Sequence, residues 1–423
     1  MRVLTRDAAA HVDREITVMG WAHRLRELGA ISFVLVRDRS GMIQVVFEGK
    51  AGFTHESVIS VRGTVRRNEK APGGFEIAAA AFDVLALADS ELPLPVNGDP
   101  DKVSLDALLD NRMISLRMPR IRSIFRVQST IIKAFAESLR GLDFTEIKTS
   151  KLVGSGTEGG TGLFTVEYFD GKVFLAQSPQ FYKQALVSSG MERVFEIGAA
   201  YRAEKHDTPR HLNEYVSLDV EMAFIQSEHE LMDLELGILK SVFAALRAEN
   251  AEDLAVFGAS LPDDAAIDRI PRVGYEEAKD IISASGGKKV FDINPEGERV
   301  LCDWAREKHG VDAAFVNAFP RKKRPFYAFP DGLKTMSFDL LFRGLEITTG
   351  GRRINEYAML LDALPKFGLT PEAMGAYMDI FRCGCPPHGG FAIGLERLTQ
   401  KILGLHSVKE ASLFPRDRKR TTP

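Results

Sequence analysis

The segment from Tyr215 to Phe224 places the strictest constraint on the fold, because its side chains alternate between apolar and polar at every position. The apolar set consists of Val216, Leu218, Val220, Met222 and Phe224. The polar set carries hydroxyls, carboxylates and a ring, and consists of Tyr215, Ser217, Asp219 and Glu221. A repeat of two residues predicts a strand with one buried face. The chain must therefore contain a sheet whose second face presents acidic groups.

A second strand-like run precedes this segment and ends near Arg202 and Glu204, so the two runs predict a hairpin around a polar loop. The hairpin could be an amphipathic surface element with solvated charges. The presence of an arginine, a glutamate, a histidine and an aromatic ring around one hairpin instead favours a nucleotide-binding site.

Composition limits the possible classes of protein. The chain has 423 residues and a net charge of −3, so any contact with nucleic acid must come from local basic patches. The three cysteines, Cys302, Cys383 and Cys385, give no disulfide framework and no second pair for a zinc site. Without a signal peptide or a run long enough to span a bilayer, the sequence predicts a cytoplasmic protein without membrane association.

Three regions follow from composition and periodicity. Residues 1–92 contain five short β-rich runs and predict a closed barrel, with the OB-fold as the leading candidate. Residues 93–119 are a hinge that begins rich in proline and glycine. Residues 120–423 form the third region, with a small helical insertion around 251–329. Within the barrel, Trp21 and Phe33 could stack on single-stranded RNA or could fill the core.

Two further stretches carry oxygen and guanidinium groups. Asp339, Glu346 and Thr349 offer the hard oxygen ligands that Mg²⁺ requires on a nucleotide. Simple alternation would place the two carboxylates on opposite faces, and a bulge at Gly344 would restore a common face. In the stretch from Pro386 to Leu403, the pattern predicts a strand that ends at Gly394 and a helix that follows it. Arg397 lies at the start of that helix.

These motifs resemble those of the class II aminoacyl-tRNA synthetases, and more narrowly the aspartyl-tRNA synthetases of the archaeal type. YRAE, RHLNEY and LDVEMAF resemble motif 2, and PPHGGFAIGLERL resembles motif 3. FTEIKTSKL resembles motif 1, with Ser150 where the family has proline. The likeness extends over nearly the whole chain. It implies an α+β fold: an OB-fold β-barrel that binds the anticodon, and an antiparallel catalytic sheet flanked by helices that forms a homodimer.

The resemblance also implies a two-step reaction with ATP and Mg²⁺, in which aspartate is joined to tRNA through aspartyl-adenylate. Arg202 and Arg397 are the implied catalytic residues. The implied ATP site consists of Arg202, Glu204, His211, Tyr215, Glu346, Gly394 and Arg397. The implied metal ligands are Asp339, Glu346 and Thr349. The implied aspartate site consists of Glu158, Ser178, Gln180, Lys183, Asp219 and Arg353.

Alternative functions are disfavoured by particular residues. An asparaginyl-tRNA synthetase generally lacks the equivalent of Lys183, because a lysine facing a neutral amide would keep an unpaired charge. A paralogue that binds RNA without charging it would be expected to lose the arginines of motifs 2 and 3, and Arg202 and Arg397 are both present.

Two positions predict whether the protein accepts one tRNA or two. His23 and Pro72 resemble the non-discriminating members of the family, which place aspartate on both tRNA(Asp) and tRNA(Asn). Discriminating members usually have tryptophan and lysine there, and neutral drift in a loop is the alternative explanation. Phe33 matches the family's base-stacking aromatic. A non-discriminating enzyme implies a tRNA-dependent amidotransferase as a downstream partner.

Overall fold

A computed structural model describes residues 2–156, 162–287 and 289–423 of the chain. The described chain divides between Met118 and Pro119 into two compact units. Residues 93–118 fall within the first unit. Among the described residues, no helix combines the length and the apolar character needed to cross a membrane.

The first unit contains a closed barrel of five strands, which confirms the barrel predicted from the sequence. Its strands are β1 (Glu15–Leu28), β2 (Ile31–Arg37), β3 (Met42–Glu48), β4 (Val58–Arg67) and β5 (Phe75–Ala86). They follow the order β1-β2-β3-β5-β4 around the barrel. Inward-facing residues such as Val18, Val34, Val45 and Val61 are buried, so alternation along each strand produces the barrel core.

Two short helices follow the barrel, α1 (Leu105–Asp110) and α2 (Arg112–Ser115). Ser104 caps α1, because its side chain accepts a hydrogen bond from the Ala107 backbone N–H at 3.3 Å. The segment 93–119 therefore contains local helical structure in addition to its proline- and glycine-rich start.

A cluster of charged side chains is buried in the barrel unit. Arg37 donates two hydrogen bonds to the Glu56 carboxylate, at 2.9 and 2.7 Å. His23 Nδ1 lies 2.8 Å from Arg37 Nη1 and 3.2 Å from Glu56 Oε1. Burial alone would raise the pKa of Glu56, but His23 and Arg37 lower it to about 2. His23 is the extra residue of a β-bulge, because the β1–β2 register shifts between Ala22 and Arg24.

The second unit is built on an eight-stranded sheet with the order β12-β13-β16-β17-β18-β11-β10-β6. All neighbouring strands are antiparallel except the pairs β6–β10 and β12–β13. The strands of this unit are β6 (Thr145–Glu146), β7 (Leu152–Val153), β8 (Thr165–Tyr168), β9 (Gly171–Leu175), β10 (Arg193–Tyr201), β11 (Glu214–Ala223), β12 (Arg272–Gly274), β13 (Ala313–Asn317), β14 (Pro330–Asp331), β15 (Lys334–Thr335), β16 (Ser337–Phe342), β17 (Leu345–Arg353) and β18 (His388–Gly394).

Helices cover this sheet, in agreement with the predicted α+β class. They are α3 (Pro119–Arg140), α4 (Gln180–Leu186), α5 (Glu228–Glu249), α6 (Ala251–Val256), α7 (Asp264–Asp268), α8 (Tyr275–Gly286), α9 (Pro295–His309), α10 (Tyr357–Ala363), α11 (Pro371–Met374), α12 (Tyr377–Arg382) and α13 (Leu395–Leu403). Ser227 and Glu230 form a capping box at the start of α5.

The central strand β11 confirms the predicted alternation. Leu218 and Val220 are fully buried in the main core, beside Phe195 of β10 and Phe391 of β18. The prediction was wrong for Phe224, which lies one residue past the end of the strand and is 63% exposed. Its φ of 62° turns the chain away from the sheet before the side chain can join the apolar face.

A bulge brings the candidate metal ligands to one face, although at a position other than the predicted one. Asp339 pairs with Thr349, and Leu341 pairs with Glu346, so Ile347 is the extra residue on β17. Gly344 instead forms the two-residue turn between β16 and β17 together with Arg343, at φ values of 74° and 50°.

The insertion around 251–329 is only partly helical. It contains α6 to α9, but also β12 and β13, which extend the edge of the main sheet. Ala313 to Val316 are buried on both faces of the sheet, so this short apolar run forms a strand that simple alternation does not reveal.

We predict that Glu56→Gln destabilises the barrel unit by about 3–5 kcal/mol, because Arg37 would be left buried without its counter-charge. Urea unfolding followed by Trp21 fluorescence measures this in a Trp304→Phe background, since the chain has 2 tryptophans. Glu15→Gln is the control, because its pair with Arg62 is exposed and should contribute about 0–1 kcal/mol.

The same pair predicts the pH dependence of barrel stability. The pKa of Glu56 is about 2 in the folded protein and 4.5 without these contacts, so its stabilisation is present above pH 4.5. That stabilisation is lost as the pH falls from 4.5 towards 2. An acid titration in which Glu56→Gln and the parent lose equal stability over this range would contradict the prediction.

Candidate active site

Two cavities open on the face of the second unit that carries the polar side of β11. The first has a volume of about 280 Å³ and the second about 470 Å³. Six of the lining residues are common to both cavities: Arg202, Tyr215, Ser217, Glu346, Thr349 and Ala392. The cavities therefore share a wall, and a ligand in one lies next to a ligand in the other.

The first cavity gathers every residue assigned to the ATP site from the sequence. It is lined by Arg202, Glu204, Arg210, His211, Tyr215, Glu346, Gly394 and Arg397, among others. Arg202 and Glu204 lie just beyond the end of β10 rather than on the strand, yet both reach this cavity. Arg397 donates to the Glu346 carbonyl oxygen at 2.9 Å, so the first turn of α13 is joined to β17.

The charges around His211 favour an anionic ligand in the first cavity. Burial, followed by the nearby Arg397 guanidinium, lowers the pKa of His211. Its Nδ1 lies 2.6 Å from the Thr208 hydroxyl, which fixes the orientation of the ring. A neutral imidazole next to several guanidinium groups suits a ligand that brings its own negative charge.

The second cavity is built on a buried cluster of four charges. Lys183 Nζ lies 3.0 Å from Asp219 Oδ1 and 3.3 Å from Glu221 Oε2. Arg353 Nε donates to Glu221 Oε1 at 3.2 Å, so Glu221 contacts both cations. Burial would raise the pKa of Glu221, but Arg353 and Lys183 lower it. The cluster holds two positive and two negative side chains, each at most 8% exposed.

Polar groups beside this cluster complete the second cavity. Gln180 accepts a hydrogen bond from Arg353 Nη2 at 3.4 Å, and its own amide nitrogen is buried without a partner among the described residues. Ser178 lines the same cavity and accepts from the Gln180 backbone N–H at 3.4 Å. Glu158 lies outside the described residues. The other predicted aspartate-site residues, Ser178, Gln180, Lys183, Asp219 and Arg353, are all brought together here.

The candidate metal ligands fit a hard divalent cation. Asp339 lies directly across from Thr349, and Glu346 is on the same face of the sheet. The Oδ1 oxygen of Asp339 is buried and has no hydrogen-bond partner among the described residues. Burial and the neighbouring Glu346 raise the pKa of Asp339 to about 6, against the opposing effect of Arg324. Two carboxylates and a hydroxyl suit Mg²⁺, which keeps several waters and phosphate oxygens as its other ligands.

The predicted anticodon residues lie in different environments within the barrel unit. Phe33 is half-buried on the outer face of β2, where it pairs with Arg26 of β1. Pro72 is exposed in a short 3₁₀ turn before β5. His23 is buried in the cluster with Arg37 and Glu56, with only 7% of its side chain exposed. In this placement Phe33 and Pro72 are accessible to a ligand, whereas His23 contacts other side chains.

Several residues of the site were not predicted from the sequence. Glu221 shares the polar face of β11 with Asp219, so the alternation contained a signal for it. Arg324 pairs with Asp339 at 2.7 Å and stacks 3.6 Å above the centre of the Phe319 ring. Arg324 belongs to the basic run 321–324, which matches no known motif. Its position beside Asp339 is visible only in the folded structure.

Close backbone packing lies next to the charged cluster of the second cavity. A β-carbon at Gly390 would lie 2.0 Å from the Val220 carbonyl oxygen and 2.3 Å from Glu221 Oε2. Arg353 Nη2 donates to the Gly390 carbonyl at 2.9 Å. Gly390 is therefore required by contact between β18 and β11 rather than by an unusual backbone angle.

Each of the two units contains a region that matches a known protein family. Residues 104–418 match the family described as tRNA synthetases class II (D, K and N). Residues 16–85 match the OB-fold nucleic acid binding domain, which confirms the predicted barrel type. The chain therefore belongs to the class II tRNA synthetases, as the resemblance in its motifs indicated.

Individual relatives cover the full chain. The chain is 47% identical to the aspartate–tRNA(Asp/Asn) ligase of Thermus thermophilus, over 100% of both chains. It is 44% identical to the aspartate–tRNA(Asp/Asn) ligase of Deinococcus radiodurans, over 100% of this chain and 99% of that protein. Among solved structures, asparaginyl-tRNA synthetase from Pyrococcus horikoshii complexed with asparaginyl-adenylate matches with a TM-score of 0.92, 29% identity and full coverage of both chains.

We predict that Gly390→Ala destabilises the second unit by about 3 kcal/mol or more, because the added methyl group collides with the Val220 carbonyl. Thermal unfolding followed by Trp304 fluorescence measures the change. Gly394→Ala on the same strand is the control, since its nearest neighbour would be Arg397 Cβ at 3.7 Å. Equal melting temperatures for the two variants would show that β18 and β11 are not in close contact.

Proposed function

We propose that this chain attaches L-aspartate to tRNA in an ATP-dependent reaction, and that it accepts both tRNA(Asp) and tRNA(Asn). The family and the names of the two full-length relatives support the class of reaction. The observation that carries the amino-acid assignment is the buried pairing of Lys183 and Arg353 through Glu221 beneath the second cavity.

That charge arrangement favours an acidic side chain over a neutral amide. Two cations lie side by side at the base of the cavity, and a substrate carboxylate can accept hydrogen bonds from both. A guanidinium offers two parallel donors to a carboxylate, which a lysine cannot copy. An amide would direct a donor NH₂ group towards these cations, which would leave their charge uncompensated by the substrate. Asp219, next to Lys183, suits the substrate ammonium group.

The shared wall of the two cavities supports a reaction between a ligand in one and a ligand in the other. With ATP in the first cavity and aspartate in the second, Arg202 lies where the α-phosphate meets the substrate α-carboxylate. A carboxylate oxygen attacks the α-phosphorus, the bond to the bridging oxygen breaks, and pyrophosphate leaves with both electrons of that bond. The 3′-hydroxyl of the tRNA then attacks the activated carbonyl, which releases AMP and forms the ester.

The roles of the remaining residues follow from this arrangement. Tyr215 and Arg397 enclose the adenine, and Glu204 accepts a hydrogen bond from its amino edge. His211 and Arg397 contact the outer phosphates, and the Arg397 guanidinium offsets their charge. These groups lower the barrier mainly by orientation and charge compensation, because phosphoryl transfer spreads negative charge over several oxygens.

Asp339, Glu346 and Thr349 would hold Mg²⁺ against the phosphates. The ion, when bound, offsets charge on the phosphate oxygens. Arg324 already pairs with one oxygen of Asp339, so this side chain neutralises part of the acidic site before a nucleotide binds. The unpartnered Asp339 oxygen supports a second positive ligand at this position.

The barrel unit supplies the contact with the anticodon. Phe33 presents a ring on the outer face of the barrel, where a base can stack, and Pro72 lies in the exposed turn before β5. His23 would influence this surface indirectly, by setting the position of Arg37 and the bulge in β1. The relaxed tRNA scope implies an amidotransferase that converts aspartate on tRNA(Asn). We place the reaction in the cytoplasm and expect a homodimer formed through the motif 1 segment.

An asparaginyl-tRNA synthetase is the second candidate, because the solved structure with a TM-score of 0.92 is one. Its 29% identity is well below the 47% shared with the Thermus relative over the full chain. The buried Lys183 also argues against it, since asparagine offers no charge for the cluster.

We predict that the purified protein places aspartate on both transcripts, tRNA(Asp) and tRNA(Asn), and places asparagine on neither. Acylation with radiolabelled amino acids and ATP measures all four combinations. Aspartate on tRNA(Asp) alone would overturn the relaxed scope while leaving the aspartyl assignment intact. Asparagine on tRNA(Asn) would overturn the interpretation of the second cavity.

We predict that Lys183→Met raises KM for aspartate by about 100-fold or more and changes KM for ATP far less, because the variant removes one of two cations from the side-chain pocket. Aspartate-dependent ATP–pyrophosphate exchange measures both constants. Lys240→Met on α5 is the control, since Lys240 pairs with the exposed Asp268 far along the helix from this cavity. A parallel rise in both constants would indicate general disruption of the unit.

A further inference from the structure

Glu298 links the insertion to the first cavity. It lies in the first turn of α9, and only 11% of its side chain is exposed. One carboxylate oxygen, Oε2, accepts hydrogen bonds from Arg210 Nη2 and from the backbone N–H of Glu346, the latter at 3.0 Å. Arg210 comes from the loop between β10 and β11, whereas Glu346 is near the start of β17. A single carboxylate therefore joins three separate parts of the chain.

Tight packing fixes the helix that carries this carboxylate. Asn294 caps α9 by accepting a hydrogen bond from the Gly297 N–H at 2.9 Å. A β-carbon at Gly297 would lie 2.9 Å from Ile282 Cδ1, so α8 and α9 are in close contact at this turn. Leu301 and Cys302 follow Glu298 by three and four residues and are buried, which places Glu298 on the inward side of the helix.

The hairpin between β16 and β17 is in equally close contact with α9. A β-carbon at Gly344 would lie 2.7 Å from the Arg299 side chain and 3.3 Å from its Cα. Leu341 of β16 belongs to the same hydrophobic cluster as Leu301 and Cys302. The position of α9 is therefore coupled to the start of β17, where the Glu346 side chain enters the cavity.

Both partners of Glu298 line the first cavity, where His211 and Arg397 also lie. Arg210 and His211 line the same cavity, and after burial and Arg397 the Arg210 guanidinium also lowers the pKa of His211, so Arg210 lies in the part of the cavity assigned to the outer phosphates. Without Glu298, Arg210 would lose the buried acceptor that holds its side chain, and the Glu346 N–H would lose its acceptor as well.

We propose that Glu298 is a positioning residue for the nucleotide. It orients Arg210 towards the outer phosphates and fixes the strand that presents Glu346, although it belongs to the insertion and to none of the three motifs. This proposal rests on the proposed function, because it takes the first cavity to be the ATP site. It predicts that the insertion contributes to ATP affinity and leaves aspartate affinity largely unaffected.

Aspartate-dependent ATP–pyrophosphate exchange with Glu298→Ala and Glu298→Gln tests this proposal. We expect Glu298→Ala to raise KM for ATP by about 10- to 100-fold, because it removes a charged hydrogen-bond acceptor. KM for aspartate should stay within about twofold, which a general loss of structure would not produce. Glu298→Gln keeps an acceptor oxygen for the Glu346 N–H and should recover part of the ATP affinity.

Glu296→Ala is the matched control, because Glu296 lies in the same helical turn and pairs with the exposed Arg299. Arg210→Met and the double variant with Glu298→Ala complete a cycle. If Glu298 acts through Arg210, the double variant should be little worse than Arg210→Met alone. Additive effects, or a Glu298→Ala effect no larger than that of Glu296→Ala, would overturn the proposal.

A parent protein that shows no exchange with aspartate would refute the proposed function rather than the role of Glu298. In that case, calorimetric titration of the parent and of Glu298→Gln with ATP and Mg²⁺ tests the positioning role alone. Weaker ATP binding by Glu298→Gln than by Glu296→Ala supports the role, and equal binding overturns it.

Discussion

The active-site face depends on the burial of two cations and two carboxylates under the second cavity. Lys183, Asp219, Glu221 and Arg353 come from α4, β11 and β17, so their ion pairs join the centre of the sheet to a helix beside it. Buried charges are expensive to desolvate and are retained only where each is paired. Every member of this cluster has a partner of opposite sign, so the charges compensate one another without a ligand.

On the nucleotide side, the position of the site depends on the backbone of β17. The bulge at Ile347 brings Glu346 into line with Asp339 and Thr349, and α9 meets the bulged strand through Glu298. Bulges occur where a sheet must direct a side chain to a particular face. In this protein the bulge and the insertion act on the same short stretch of β17, which explains why an element remote from the three motifs contacts the cavity.

The parts of the fold that the sequence predicts are those governed by local periodicity. The alternation in β11 and the short strands of the barrel depend on residues that are close along the chain. The predicted site residues were found largely because the motifs resemble a known family. The structure brings all of them except Glu158, Asp339 and the barrel residues into two adjoining cavities, and Asp339 pairs with the cavity residue Thr349.

The features that the sequence did not predict depend on tertiary contacts. The bulge was expected at Gly344, but that glycine is used for the hairpin turn, and periodicity cannot indicate which neighbouring residue is extra. Arg210 and Glu298 are 88 residues apart, and no spacing rule relates them. His23 was interpreted as a position that sets the tRNA scope, and its ring is enclosed because β1 bulges at that residue and turns it towards Arg37.

The glycines of β18 limit how this pocket can evolve or be redesigned. At both Gly389 and Gly390, any larger residue would collide with backbone atoms of the neighbouring strands. Larger side chains are therefore excluded where β18 contacts its neighbouring strands behind the charged cluster, and a new amino-acid preference is reached by changing the charges that line the second cavity. A route from an acidic to an amide substrate would have to remove Lys183 and replace Asp219 together, since Asp219 pairs with Lys183 whereas Glu221 keeps Arg353 as a partner.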